Sequence, residues 1–386
     1  MTTTTDATLD QALQLVSRQQ AEMERTLKLL VDENSHTAER DRVNKVGAML
    51  AELFTMPGLT PEWRKSERFG NHLILTTPAS GPRTLLIGHH DTVFPPGTFE
   101  GMREDGELLR GPGVLDMKGG LLVVRFALKA LSEVGALERI PLAVISVADE
   151  EVGSEDSGPH LRELCGNAKA ALVFEAGRLG DAIITRRKGT GGITARAHGR
   201  AAHAGNAHRE GVNAIWALAR FIDAAQRITD YDRGITVNVG KVSGGTSKNT
   251  VPDAAEAVID FRFVRTDDGR DVEAAMAAAA DRVAGEVPGA RVEISGGVRR
   301  LPLEQTAASR ALMERYAAAA RATGLGAGEA PLLGGGSDAN TVSAVGVPAI
   351  DGLGPRGKGF HTNDEQIERA TLVPKAQALI RYLLTA

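Results

Sequence analysis

At 386 residues the chain is too long for one ordinary hydrophobic core, so two domains are expected. Its 45 basic and 49 acidic residues leave a net charge of -4, and its 42% apolar and 24% charged residues are ordinary globular values. These figures exclude the electrostatic footprint of a nucleic-acid binder or an anionic-membrane binder, and no apolar run reaches bilayer length, which leaves a small-molecule partner as the expectation.

The stretch from Met1 to Asp6 has neither the basic nor the apolar region of a secretory signal. A lone Cys165 cannot form an internal disulfide, so a cytoplasmic location is expected. Leu9, Leu13 and Val16, then Met23, Leu27 and Leu30, recur at i, i+4, i+7 and predict helices over the first fifty residues. Strands are predicted at Thr84 to Ile87, Leu142 to Val147, Ala171 to Phe174 and Val347 to Ile350, with a long helix from Met117 to about Leu131. This alternation predicts an α/β fold with a mostly parallel sheet and helices on both faces.

From Gly189 to Gly297 the rhythm changes. Strand Ile193 to Ala197, helix Val212 to Ala225, strands Ile235 to Val242 and Glu256 to Phe263, helix Asp271 to Val283 and strand Ala290 to Ile294 follow the βαββαβ order of a ferredoxin-like α+β domain. The expected organisation is a discontinuous catalytic domain, residues 1–188 and 298–386, interrupted by an inserted domain over residues 189–297.

Three predicted strands run into ionisable clusters: His89-His90-Asp91, Asp149-Glu150-Glu151 and Glu175. Carboxyl ends of parallel strands line one crevice, so clusters far apart in sequence can converge there. Asp116, in a glycine-rich stretch opening the long helix, and His361, in a loop after the last strand, extend the set. Each cluster alone is commonplace, a His-x-Asp at a strand end or a solvated acidic turn. Together they form an imidazole and carboxylate inventory without thiolate, which suits zinc or a related first-row ion and has enough ligands for two ions bridged by a carboxylate. Neither Gly111 to Gly120 nor Gly334-Gly335-Gly336 matches a phosphate loop or a dinucleotide fingerprint, and no serine lies in a nucleophile elbow.

In order and spacing, Leu86-Ile-Gly-His89-His-Asp91, Gly111-Pro-Gly-Val-Leu-Asp116-Met-Lys-Gly-Gly120, Asp149-Glu150-Glu151-Val-Gly-Ser154, Phe174-Glu175, Ala202-His203-Ala-Gly205, Lys248-Asn249-Thr-Val-Pro252, Asp260-Phe-Arg262, Gly335-Gly-Ser-Asp338 and Phe360-His361 carry a resemblance across nearly the whole chain. The chain resembles the zinc metallopeptidase family of aminoacylase, acetylornithine deacetylase, succinyl-diaminopimelate desuccinylase and glutamate carboxypeptidase, and is most similar to the last. Met117 departs from the pattern, in which a second Asp commonly follows the bridging one.

The resemblance implies a zinc exopeptidase fold and two zinc ions per subunit, with cobalt or manganese as substitutes. Asp116 would bridge them, with His89 and Glu175 completing one site and Glu151 and His361 the other. Glu150 would be the general base and Asp91 the carboxylate behind His89, while the residues alone leave His90 open as the ligand instead. The inserted domain would be a lid and dimerisation domain of a homodimer, bringing His203 to the substrate carbonyl. Asn249, Arg262 and Arg300 would contact substrate. The expected reaction is hydrolysis of an amide bond in a small peptide or N-acyl amino acid, releasing a C-terminal glutamate or a similar amino acid. An N-acyl amino acid deacylase is the alternative, and a non-catalytic metal-binding protein the alternative of another class.

Overall fold

The computed structural model describes residues 4–385; residues 1–3 and 386, and with them part of the N-terminal stretch read for a secretory signal, lie outside the described residues. In chain order the strands are β1 (Thr60–Arg64), β2 (His72–Thr76), β3 (Arg83–His89), β4 (Arg103–Asp105), β5 (Leu108–Arg110), β6 (Leu142–Val147), β7 (Ala168–Val173), β8 (Gly189–His198), β9 (Ala202–His203), β10 (Thr236–Gly244), β11 (Thr250–Val251), β12 (Ala254–Phe263), β13 (Arg291–Arg300), β14 (Ala349–Ile350), β15 (Gly357–Lys358) and β16 (Gln366–Glu368). The chain divides into two compact units, one of Met1–Arg186, Gln305–Leu332 and Ser337–Ala386, the other of Arg187–Glu304 and Leu333–Gly336. No described helix is long and apolar enough to cross a membrane.

The first unit holds a six-stranded sheet in the order β1-β2-β6-β3-β7-β14. The pairs β6·β3, β3·β7 and β7·β14 are parallel, and β2 and β1 add to one edge antiparallel. Leu86, Val144 and Leu172 join a core built with the helices Gln20–Asp32, Lys118–Glu133, Ala307–Arg321 and Leu372–Thr385, while the alternating Leu85, Ile87 and Ile145 are buried on the other face. Burial on both faces is why these strands read as continuous apolar runs. The strand expected over Val347 to Ile350 shrinks to Ala349–Ile350, because Pro348 has no N–H for the ladder.

Two local features position the site. Helix Lys118–Glu133 starts hard against neighbouring backbone: a Cβ on Gly119 would sit 2.2 Å from the Val114 carbonyl oxygen, and one on Gly120 2.0 Å from that of Phe174. Only glycine tolerates both approaches, which bring the loop carrying Asp116 to the end of β7. A second small sheet, β15-β16-β5-β4, pairs Gln366 with Arg110 and lays the turn that contains His361 beside that loop.

The second unit is an antiparallel sheet, β10-β12-β8-β13, with the helices Ala214–Gln226 and Thr266–Glu286 packed on it. Its strand order is that of a ferredoxin-like βαββαβ sandwich, with Phe221, Phe261, Phe263 and Met276 in the core. The fold is thus α/β with a mostly parallel main sheet and a separate α+β unit. A boundary after Gly297 cuts through β13, which keeps pairing with β8 as far as Arg300 opposite Thr190. Arg300 therefore belongs to the second unit, as does Leu333, whose carbonyl accepts from the Lys188 N–H.

Candidate metal centre

Because β6, β3 and β7 are neighbours, their carboxyl ends deliver three clusters to one place. His89 closes β3 and is buried, with Nε2 3.2 Å from Asp116 Oδ1 and 3.7 Å from Glu175 Oε2. Its Nδ1 lies 3.0 Å from the Asp91 carbonyl oxygen and 3.3 Å from Asp91 Oδ1, which leaves Nε2 as the nitrogen presented to the cluster. Fully buried Asp91 does more than sit behind this ring. Its two oxygens accept from the backbone N–H of Glu150 (3.3 Å) and Glu151 (3.2 Å), and from Thr37 Oγ1 (2.8 Å), so it also fixes the acidic turn after β6.

The second oxygen of Asp116 faces His361, whose Nε2 is 3.4 Å from Asp116 Oδ2 and 3.0 Å from Glu151 Oε2. One carboxylate thus reaches a ring nitrogen on each side. Glu151 Oε1 is buried with no hydrogen-bond partner. Two sets of donor atoms, from His89, Glu150 and Glu175 and from His89, Asp116 and Glu151, lie within 4.8 Å of one another and could each hold an ion.

The electrostatics show a site short of positive charge. Burial pushes the Glu175 carboxyl up to about 8 and that of Glu151 up to about 7, each reinforced by the Asp116 charge. Hydrogen bonds to Asp116 and Glu151 push the His361 imidazole up to about 10. Burial opposes a charge on His89, yet Glu175, Asp116 and Asp91 hold its pKa well above the usual imidazole value. An orphaned buried oxygen, protonated acids and imidazole nitrogens aimed at carboxylates are what a first-row divalent ion would satisfy.

A pH dependence follows. Glu175 and Glu151 keep their protons in the folded, metal-free protein where the unfolded chain, with carboxyls at 4.5, has lost them. Their contribution to stability is therefore fully present below the unfolded value and disappears as pH rises through about 7 to 8. Adding zinc to the metal-free protein near neutral pH is expected to release protons and reverse that loss. Calorimetric titration in buffers of different ionisation enthalpy counts the protons, and a binding enthalpy independent of buffer would contradict the expectation.

His90 is no part of this cluster: its Nδ1 pairs with Ser146 Oγ at 2.9 Å, and burial pushes the imidazole down to about 3. Met117 is fully buried and fills the space over Gly88 and Gly120, where a Cβ would come within 2.4 and 2.9 Å of its methyl carbon. Several further residues support this centre, and of these only Ser154 and Asp338 lay within a sequence motif. The Ala148 N–H donates to His72 Nδ1 (3.1 Å), and His72 Nε2 lies 3.0 Å from Asp156, steadying the backbone ahead of Glu150. Ser154 Oγ donates to Asp338 at 2.5 Å, and Glu365, pushed up to about 8 by burial, accepts from the Leu115 and Asp116 N–H groups. Its place four residues after His361 was the only sequence signal for Glu365.

The remaining predicted residues belong to the second unit. His203 is exposed at the end of β9, and its Nδ1 accepts from the Gly205 and Asn206 N–H groups, each at 3.1 Å, so the neutral ring carries its proton on Nε2. The β9·β11 pairing sets Thr250 opposite His203 and so brings Asn249 beside it. Arg262 and Arg300 both flank Thr190 in the sheet. Arg262 makes a two-pronged pair with Asp260 (2.9 and 2.8 Å) at a groove of about 460 Å³ that Lys241 and Arg299 also line, while Arg300 is buried.

A model of the peptidase dimerisation domain matches residues 185–288. Carboxypeptidase G2 from a Pseudomonas strain is 28% identical over 371 residues, covering 94% of this chain and 88% of the relative. The chain resembles the M20 metallopeptidases along nearly its whole length. A Mycobacterium tuberculosis protein assigned as the succinyl-diaminopimelate desuccinylase DapE is 29% identical over 329 residues, 82% of this chain and 86% of its own. The crystal structure of a Bacillus subtilis M20 protein, described as a dinuclear metal-binding peptidase, shares the fold with a TM-score of 0.69 at 15% identity, covering 95% of this chain and 97% of that one. These similarities make the chain a metal-dependent peptidase or amidohydrolase.

Proposed function

We propose that this chain is a two-zinc carboxypeptidase that releases a C-terminal glutamate or a similar amino acid, working as a cytoplasmic homodimer. The observation that carries the reading is the placement of Asp116, with one oxygen 3.2 Å from His89 Nε2 and the other 3.4 Å from His361 Nε2. In this assignment Asp116 would be shared by both ions, His89 and Glu175 would complete one site, and Glu151 and His361 the other. The similarity to carboxypeptidase G2 over nearly the full chain supports the substrate class. The dimerisation-domain match supports the homodimer, as do the edge position of β10 and the exposed Ile215 and Trp216. A single cysteine, hence no internal disulfide, supports the cytoplasm.

When bound, two divalent ions would lower the pKa of a water to about 7 and polarise the scissile carbonyl. The protein's own groups supply the rest. Glu150, held by its backbone bond to Asp91, takes the proton of the attacking water and passes it to the departing amine. Asp91 fixes the His89 ring and the Glu150–Glu151 turn together, so a shift in one moves the other. The Nε2 proton of His203 would serve the developing oxyanion, Asn249 and Arg262 would contact the substrate or its carboxylate, and Arg300 is a further candidate to clamp that carboxylate. His203→Ala is expected to lower kcat by about 10²- to 10³-fold with metal content unchanged. Steady-state kinetics beside metal analysis check this, and an unchanged kcat would remove His203 from the reaction.

The similarity to a desuccinylase favours one second reading, an N-acyl amino acid deacylase using the same centre. Hydrolysis of a matched panel by the zinc-loaded protein separates the two: folate-type and acyl glutamates against acetylornithine and other N-acetyl amino acids. Preferred release of C-terminal glutamate supports the carboxypeptidase; preference for N-acetyl substrates transfers the function to the deacylases. No turnover of either class by a protein that binds two ions would count against both.

A further inference from the structure

We infer that Glu365 is the positioning residue that holds the Asp116 loop and the His361 turn in register, and that the ion assigned to Asp116, Glu151 and His361 depends on it more than the ion assigned to Asp116, His89 and Glu175. The inference rests on the two-ion reading above.

Glu365 is fully buried, and its Oε1 accepts from the backbone N–H of Leu115 (2.8 Å) and of Asp116 (2.9 Å). Its carbonyl accepts from the Gly111 N–H at 3.2 Å, so side chain and backbone grip both ends of the loop that delivers Asp116. On its other side, the Glu365 N–H donates to the Thr362 carbonyl (3.2 Å) and Thr362 N–H to that of Gly359 (3.0 Å), closing the turn in which His361 stands. A Cβ on Gly359 would lie 2.5 Å from the Asp364 carbonyl oxygen, so the turn is closed tightly. The next residue, Gln366, enters the ladder opposite Arg110. One buried carboxyl thus ties two backbones about which the ligands are arranged, an expensive placement for a group with no other partner on Oε2.

The asymmetry comes from what else supports each ligand. His89 ends a central strand, and the Phe174 N–H continues the ladder to Ile87 (2.9 Å) beside Glu175. Glu151 sits instead on a single 3-10 turn, and His361 has φ 62° and a side chain half exposed. The weaker scaffold is the one braced by Glu365.

Metal-stripped wild type, Glu365→Gln and Glu365→Ala are titrated with Zn2+ against a chromophoric chelator, and with Co2+ by visible absorption. The amide oxygen of Glu365→Gln can accept the same two N–H groups, and two ions with near-wild-type affinities are expected. Glu365→Ala is expected to keep the first ion and to bind the second about 10- to 100-fold more weakly, the usual cost of losing a support behind the ligands. Should the alanine variant fail to fold, Glu365→Asp, whose shorter side chain cannot reach both N–H groups, is expected to weaken the second ion in the same direction. Equal weakening of both ions, or none, in the variant that folds overturns the inference, as does a glutamine variant no better than alanine. A wild type that binds fewer than two ions brings down the two-ion reading and this inference with it.

Discussion

Glu150→Ala is expected to lower kcat by about 10²- to 10⁴-fold, some 3 to 5 kcal/mol of barrier, with two ions still bound. Glu150 and Glu151 share one 3-10 turn, and both backbone N–H groups are held by Asp91, so the turn presents two carboxylates from a fixed base. Glu151 faces His361 at 3.0 Å, whereas Glu150 lies within reach of His89 and Glu175. That second proximity makes the variant informative. A base removed from beside the ions abolishes proton transfer and leaves metal content unchanged. Loss of one ion together with turnover would instead make Glu150 a ligand, and near-normal turnover would remove it from the chemistry. Metal analysis and single-turnover kinetics on the same preparation distinguish the three.

Asp116→Ala is expected to lose both ions and the stability they confer. Burial works against a charge on Asp116, yet hydrogen bonds to His361 and His89 hold its carboxyl well below the usual carboxylate range, so both imidazoles depend on it. Without it, His89 and His361 lose a carboxylate that reaches both. A ligand present at about 100 times its Kd stabilises a folded protein by about 2.7 kcal/mol, and this increment is expected to vanish in the variant. Thermal unfolding with and without added zinc, with metal analysis, provides the check, and full zinc retention would refute the bridging role. Asp116→Asn, which keeps one acceptor but loses the charge, is expected to fall between.

How much of this was legible in the sequence depends on the range over which each interaction acts. The apolar runs before His89, Glu150 and Glu175 announce strands because burial on both faces demands continuous apolar residues, and a polar cluster at the end of each is locally visible. The pair Gly119-Gly120 was legible as a motif, but its reason was not: two backbone approaches of 2.2 and 2.0 Å appear only once the helix lies against β7. Arg300 looked like a residue just past an insertion because nothing local shows that β13 goes on pairing opposite Thr190.

By itself the sequence determined the element types, the inserted βαββαβ segment and the chemical inventory of imidazoles and carboxylates, since periodicity, capping and residue chemistry act over a few positions. Only the tertiary structure decided which oxygen of Asp116 meets which imidazole, that His90 pairs with Ser146 instead of joining the cluster, and that Glu365 bonds the backbone of a residue 249 positions away. Such contacts depend on how strands order themselves in a sheet and on which buried polar groups find partners. Those are properties of the packed chain, with no local signature along it.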